Sequence, residues 1–329
     1  MSAAATNAVV LHDPVSQGAP PDAQDTLVQV AEVAAALRAL GYAVATLAFT
    51  PDLGRLQEDF SRHQPAFAFN LVESVGGEGR LIHLAPALLE LAGIRYTGCG
   101  AEALFATTHK VLAKKLLRHE GLPTPSWLTH DESAQFVTGS PYIVKPESED
   151  ASIGIDVDAV VFGASRDELQ AILRGRRQEA GKEYFAEQYI AGREFNVSLL
   201  ANGAQPDCLP PIELLFAASG APAILHYRAK WKEHFPEHAT VAKRLDFGNA
   251  DDALLARMKQ LAVACWHDFR LSGYARVDFR VDALGNPWVI EINGNPGLSA
   301  DSNFEVAAMH GGLDLAGVVE RIVAAIPAG

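Results

Sequence analysis

Basic residues are scarce in this 329-residue chain: 27 Lys and Arg stand against 40 Asp and Glu, a formal net charge of -13. That balance excludes an extended surface for nucleic acid or an anionic membrane, while leaving room for a local basic pocket that takes a small anion. Cysteine is scarcer still. Cys99, Cys208 and Cys265 are odd in number and widely spaced, which fits neither a disulfide framework nor a thiolate metal site and predicts reduced thiols in a cytoplasm. No apolar run approaches the roughly 20 residues that span a bilayer. Met1 to Asn7 carries no basic residue and Asp13 soon follows the short apolar Ala8–Leu11, so no secretory leader is predicted. Internal repeats and low-complexity tails are also missing. What remains is 49% apolar and 20% charged, the composition of a soluble globular chain with a core large enough for two or three domains.

The order of elements is that of an α/β protein. Ala8–Leu11 predicts a buried strand, and a Gly/Pro/Asp loop runs from Ser16 to Asp25. Asp25-Thr26 is placed to cap a helix whose apolar face is Leu27, Val30, Val33, Ala34, Leu37 and Leu40, ended by Gly41. Strands follow at Tyr42–Phe49 and Phe67–Leu71, with a helix between them. Strand, helix, strand, helix, strand implies a parallel sheet, with ligands beyond the carboxyl ends of the strands. That points to the loops 13–25 and 70–80. His83–Leu91 and Gly100–Glu120 predict helices, the second carrying Lys110, Lys114 and Lys115. Tyr142–Pro146 and Ile155–Phe162 predict strands flanking a polar loop, Glu147–Gly154. Tyr184–Ile190, Phe195–Ala201 and Cys208–Phe216 predict extended segments. His226, His234 and His238 lie in a long irregular region, a candidate lid, and their spacing fits no common metal pattern. Asp251–Phe269 and Leu313–Ile326 close the list as helices.

One hairpin concentrates chemistry. Arg276-Val277-Asp278-Phe279-Arg280 alternates polar and apolar residues, turn formers follow at Asp282–Pro287, and Trp288–Ile292 returns before Asn293-Gly294-Asn295-Pro296-Gly297. Asp278, Glu291 and Asn293 are an oxygen-only donor set of the kind that holds Mg²⁺ against nucleotide phosphates. An ordinary acidic hairpin ending in an Asn-Gly turn accounts for the same residues. Upstream, Lys145 ends a strand at the lip of a loop and suits a phosphate, although an isolated lysine is usually a solvated charge. Glu187 ends another strand near a second carboxylate, where an adenosine amine or ribose hydroxyl would be received.

The ordered set Lys110, Ile143-Val144-Lys145-Pro146, Glu187-Gln188-Tyr189-Ile190, Gly192-Arg193-Glu194, Ala275-Arg276-Val277-Asp278 and Glu291–Gly297 resembles the ATP-grasp ligases, and within them the D-alanine–D-alanine ligase branch. Arg95-Tyr96-Thr97-Gly98 and Gly121-Leu122-Pro123-Thr124-Pro125 fit the same branch. The resemblance runs from Ala8 to Ile326 and is weakest before Ile94. It implies an α/β, three-domain ATP-grasp fold: an N-terminal parallel-sheet substrate domain over residues 1–97, then a central subdomain over 98–186 and a C-terminal one over 187–329, two α+β units sandwiching ATP. It implies an ATP-dependent ligase that activates a carboxylate as an acyl phosphate and joins it to an amino-acid amine, releasing ADP and phosphate. The implied cofactors are ATP and Mg²⁺, with Mn²⁺ as substitute. The implied partners are a small carboxylate and an amino acid, with neither nucleic acid nor membrane, in a cytoplasmic homodimer. Residue by residue, Lys110, Lys145 and Lys230 match phosphate-contacting lysines, with Lys230 on the lid. Ser152 remains in the central lid with the nucleotide-binding groups. Glu187, Tyr189 and Ile190 match the adenine hinge and Glu194 the ribose carboxylate. Asp278, Glu291 and Asn293 match the metal ligands. Arg276 matches the arginine that stabilises the tetrahedral intermediate, Gly297 an oxyanion N–H donor, and Ser302 the serine that binds the second substrate's carboxylate.

The departures fall on the first substrate. The branch's N-terminal acidic residue has only Asp22 or Asp25 nearby, and Asn70-Leu71-Val72-Glu73-Ser74 replaces its His-Gly loop. Asp150-Ala151-Ser152 replaces Gly-Ser-Ser, Trp231 replaces a tyrosine, and Gly294-Asn295 replaces Thr-Ser. The expectation is an acyl substrate other than D-alanine and an amine substrate resembling an α-amino acid. A true D-alanine–D-alanine ligase of cell-wall synthesis, and a nucleotide-binding protein that no longer ligates, are the alternatives.

Overall fold

The computed structural model describes residues 6–16, 18–132, 136–149, 152–156, 158–216, 222–225 and 241–327. Three sheets organise them. The first is parallel, in the order β2 (Ala43–Ala48), β1 (Asn7–His12), β3 (Phe67–Leu71), with Ala8 opposite both Val44 and Phe67. Its crossover helices are α1 (Pro21–Ala39) and α2 (Leu53–His63). Helix α1 begins four residues before the Asp25-Thr26 expected as its cap. Pro20 is the N-cap and Pro21 the first helical residue, where a missing N–H costs nothing and the ring presets φ. Asp25 and Thr26 are thereby carried into the helix, and Asp25 faces the later part of the chain.

The second sheet is antiparallel, ordered β4 (Trp127–Leu128), β7 (Tyr184–Gln188), β5 (Tyr142–Pro146), β6 (Val160–Val161). The expected strand from Ile155 to Phe162 shrinks to two residues. Consecutive turns take the backbone groups before it: Ser152 and Gly154 have φ of 63° and 75°, Ile155 N donates to Ser152 O, and Ala159 N to Asp156 O. Helix α6 (Arg166–Ala180) covers this sheet through Leu169 and Leu173 and starts with a capping box at Ser165 and Glu168.

The third sheet runs β11 (Val241–Arg244), β10 (Ile212–Phe216), β8 (Arg193–Asn202), β12 (Tyr274–Val281), β13 (Pro287–Asn293), with β9 (Gln205–Cys208) also on β8. Strict alternation sorts its faces. Phe195, Val197, Val277 and Phe279 point to α7 (Asp252–Asp268), packing on Met258, Leu261 and Cys265. Asn196, Arg276, Asp278 and Arg280 are left for the opposite face. Helix α3 (Leu84–Leu91) shares a core with Val9 and Leu11 of β1 through Ala85 and Leu89. Helix α4 (Ala101–Thr108) joins the α7 side through Leu104, and α5 (Lys110–His119) through Ala113 and Leu117. These two replace the single helix expected from Gly100 to Glu120. The break is His109, at φ -82° and ψ 90°, because the Lys110 N–H leaves the helical ladder to donate to Glu147 O at 2.8 Å. Helices α8 (Asn303–His310) and α9 (Leu315–Ala324) pack against the first sheet: Phe304, Val318 and Ile322 share one core with Val10, Val33, Leu37 and Phe69. Segments adjoining the first and third sheets also meet at backbone distance. Gly98 and Gly273 have φ of 88° and 68°, and a Cβ on Gly273 would lie 2.9 Å from the Gly98 Cα.

Candidate active site

The hairpin β12–β13 carries the candidate metal set, and its register is irregular where that matters. Asp278 pairs with Glu291, but Phe279 pairs with Val289, so Ile290 is an extra residue. Simple alternation would put Val289 and Glu291 on one face. The bulge lets Val289 enter the core, 0% exposed, while Glu291 turns to the face of Asp278. Asn293 lies two residues further on, opposite Arg276. Strand periodicity alone does not reveal this switch.

Each acid holds a positive side chain. Arg276 binds Asp278 through both ends of its guanidinium, Nε to Oδ1 at 2.7 Å and Nη2 to Oδ2 at 2.9 Å. Asn196 Nδ2 also donates to Asp278 Oδ1, at 2.6 Å. Lys110, brought to the start of α5 by the break at His109, places Nζ 3.0 Å from Glu291 Oε1. Asn293 Oδ1 accepts from the Asn295 N–H at 2.8 Å. No group of three His, Cys, Asp or Glu fit for a metal occurs among the described residues. The donor set of Asp278, Glu291 and Asn293 is oxygen only and supplies two acids and an amide, which fits a hard divalent cation completed by phosphate oxygens and water.

Beside the hairpin, Glu187 sits at the end of β7 between two ammonium groups. Lys145 from β5 and Lys114 from α5 each approach one of its oxygens to 2.6 Å. Glu187 and Lys114 are both 2% exposed. Burial is the largest influence on each and disfavours its charge. Around Glu187 the two lysines outweigh that influence and hold the carboxyl below its ordinary range, whereas the Lys114 ammonium is pulled down to about 8 despite Glu187. Lys114 also donates to Thr124 Oγ1 at 2.7 Å, and that hydroxyl donates to Val289 O at 2.9 Å. The glutamate expected at the adenine hinge is thus tied to the strand bearing Glu291. The sequence motifs assign Lys114 no role, although its spacing of four from Lys110 puts both on one helix face.

Arg280 is the second such omission. It faces the same side as Asp278, is 4% exposed, and donates to Glu194 Oε2 at 2.8 Å, Ile190 O at 2.9 Å, Ala223 O at 2.9 Å and Tyr189 OH at 3.0 Å. It gathers three expected nucleotide-binding residues, Tyr189, Ile190 and Glu194, around one guanidinium. Burial raises the Glu194 carboxyl, with Arg280 opposing and Asp278 adding to the rise. Ser152, from the lid, donates to Leu225 O at 2.6 Å. Lys230, with Trp231 and the three lid histidines, lies outside the described residues.

The loops expected to choose the first substrate meet the segment after the hairpin. Asp13 Oδ1 accepts from the N–H groups of Glu73 and Ser74, and its Oδ2 from Ser74 Oγ at 2.9 Å. Burial, the largest influence, raises its carboxyl. Gln29, 3% exposed, donates to Asp25 Oδ2 at 3.1 Å and Glu73 Oε1 at 3.2 Å, and accepts from the Leu298 N–H at 3.0 Å. A Cβ on Gly297 would stand 3.5 Å from Gln29, so Gly297 lies beside the first-domain helix. Ser299 Oγ donates to Asp25 Oδ2 at 3.3 Å. Ser302 is the N-cap of α8, its side chain accepting from the Glu305 N–H. The structure therefore brings Lys110, Lys145, Glu187, Tyr189, Ile190, Glu194, Arg276, Asp278, Glu291 and Asn293 along one side of the second and third sheets, with Gly297 and Ser302 just beyond.

Known proteins resemble this chain over most of its length. Residues 116–324 match the family model described as D-ala D-ala ligase C-terminus. A D-alanine–D-alanine ligase of Synechococcus sp. is 31% identical over 266 residues, 78% of this chain and 75% of the relative. Another of Gloeobacter violaceus is 30% identical over 312 residues, covering 92% and 95%. An uncharacterized protein of Sinorhizobium fredii is 32% identical over 257 residues, covering 78% and 73%. Among solved structures, the D-alanine–D-alanine ligase of Bacillus anthracis complexed with ATP superposes with a TM-score of 0.72 at 25% identity, covering 98% of this chain and 97% of that one. The chain belongs to the D-alanine–D-alanine ligase family: it has the ATP-grasp fold and is an ATP-dependent, ADP-forming carbon–nitrogen ligase.

Proposed function

We propose that this ligase phosphorylates a carboxylic acid with ATP and couples the acyl phosphate to the amine of an α-amino acid. The observation that supports it best is the pairing of Lys110 with Glu291, the cross-strand neighbour of Asp278, and of Lys145 with Glu187, with Gly297 and Ser302 following Glu291 in the chain. A carboxylate is a poor electrophile, and its phosphorylation needs charge neutralisation and positioning. Lys110 and Lys145 supply positive charge to the phosphates, exchanging Glu291 and Glu187 for them. Asp278, Glu291 and Asn293 would hold Mg²⁺, which when bound would neutralise charge on the phosphates. Arg276 and the Gly297 N–H face the acyl carbon's developing oxyanion, worth several kcal/mol once water is excluded. Glu187 and the backbone of Tyr189 and Ile190 receive adenine, Glu194 the ribose, and Ser152 and Lys230 close over the phosphates. The cleft lies between the units 98–186 and 187–329, with the acyl substrate reaching in from 1–97.

The groups proposed to meet the acyl substrate are Asp13, Glu73 and Ser74 on loops and Asp25 and Gln29 on α1, a set that differs from the family's. We assign the chain an acyl substrate other than D-alanine, in a cytoplasmic homodimer. The relatives' names favour a second reading, ligation of D-alanine to itself. ADP release measured across pairs of L-, D- and β-amino acids, with mass detection of the product, separates the two. The first reading requires a product pair more active than D-alanine alone. D-alanine as the best substrate establishes the second, and ADP release from no pair removes both.

A further inference from the structure

Asn196 is a polar residue in the middle of an apolar strand. Phe195 and Val197 on either side are fully buried, and Asn196 itself is 4% exposed. A buried amide must place both of its ends or lose stability. Its Nδ2 donates to Asp278 Oδ1 at 2.6 Å, and its Oδ1 accepts from Asn303 Nδ2 at 2.5 Å. The orientation of the amide follows from chemistry, because an ionised Asp278 only accepts. Asn303 is the first residue of α8, directly after Ser302. Two hydrogen bonds therefore connect the start of α8 to a carboxylate of the hairpin. Arg276 holds the same carboxylate from its other side, and in the proposed reaction Arg276 turns to the acyl oxygen.

We infer that Asn196 is a positioning residue, which keeps Asp278 oriented for the divalent cation and links it through Asn303 to the amine-substrate end of the site. The inference rests on the metal reading of Asp278, Glu291 and Asn293. A hydrogen-bond partner behind a metal ligand typically sets 10- to 100-fold in metal affinity. It also makes the two ends of the site respond to each other, since a shift of the first turn of α8 reaches Asp278 through side chains alone.

The test titrates Mn²⁺, followed by electron paramagnetic resonance, into the full chain with ADP. Asn196→Ala is expected to weaken Mn²⁺ binding on the order of tenfold while leaving the affinity for ADP without metal unchanged. Asn196→Thr, which restores a hydroxyl donor, is expected to recover part of the loss. Asn303→Ala alters only a partly exposed helix start, so it folds even where changes at 196 do not. It is expected to weaken Mn²⁺ severalfold, and the double variant to be no worse than Asn196→Ala alone. Wild-type Mn²⁺ affinity in Asn196→Ala, or in Asn303→Ala, overturns the inference and leaves the metal reading standing. Fully additive losses overturn the link to Asn303. If the unsubstituted chain with ADP binds no Mn²⁺, the metal reading falls and the inference with it.

Discussion

Lys114 carries its charge where water does not reach, and it does so for Glu187 and Thr124. Removing one member of a buried ion pair leaves the other uncompensated, at a typical cost of about 3 kcal/mol or more. Lys114→Met is expected to lower stability by about 3 kcal/mol in urea denaturation and to weaken ATP binding through a disordered Glu187. A stability within about 0.5 kcal/mol of the parent would show that Lys145 alone satisfies the glutamate. Glu147 gives a pH signature of its own. Burial, reinforced by Glu183, pushes its carboxyl from the ordinary 4.5 up to about 7. The folded chain thus binds the proton more tightly than the unfolded chain, and the associated stability, full below pH 4.5, is lost as pH rises through about 7. Glu147→Gln cannot ionise. Its unfolding free energy relative to the parent is expected to rise across that window and to level off above it, and a pH-independent difference would contradict the shift.

Helix α8 shows how an element and a site share one residue. Ser302 caps the helix and is also the residue proposed to receive the amine substrate's carboxylate. Ser302→Ala is expected to cost about 1 kcal/mol of stability and to raise the KM for the amine substrate more than that for ATP. Ser302→Asp restores the cap but repels a carboxylate, so it is expected to regain the stability and keep the raised KM. Recovery of both would leave Ser302 with only the cap. The elements themselves were largely legible. The period-2 pattern placed both strands of the hairpin, and apolar spacing placed α7 and the first parallel sheet. Three features were not. The break at His109 comes from the hydrogen bond of the Lys110 N–H to Glu147 O, 37 residues away in sequence, while the apolar pattern runs on unbroken. The bulge at Ile290 shows only in the cross-strand register. Pro20 and Pro21 looked like loop residues, although proline suits the first helical turn. Lys114 and Arg280 were visible as members of the correct faces, but their importance depends on burial, which one sequence does not display.

At the scale of the molecule, ion pairs join the elements of the candidate site, and in the proposed reaction a nucleotide replaces them. Lys110–Glu291 joins α5 to β13, and Lys145–Glu187 joins β5 to β7. A ligand that binds only the folded chain at 100 times its Kd adds about 2.7 kcal/mol, so ADP with Mg²⁺ is expected to raise the melting temperature by several degrees. Glu291→Gln is expected to fold, to keep the shift given by ADP alone, and to lose the increment due to Mg²⁺ together with most turnover. A full Mg²⁺ increment or near-normal ADP release in that variant would remove Glu291 from the metal set.

The contact between Gly98 and Gly273 bears on how long a substrate the enzyme accepts. Gly98 follows the segment bridged to β3, and Gly273 leads into β12. Ser272 Oγ also donates to Gly98 O at 2.7 Å. The main chains touch there without any side chain between them, so no substitution short of a larger residue that forces them apart changes their spacing. If the proposed roles hold, the segments proposed to meet the acyl substrate and the hairpin proposed for phosphate transfer are gauged against each other at that seam. Selection by length then falls to what projects from residues 13–20, the start of α1 and loop 70–80. Variants that lengthen or shorten those side chains are the ones that change which acid fits, while the seam keeps the gauge constant.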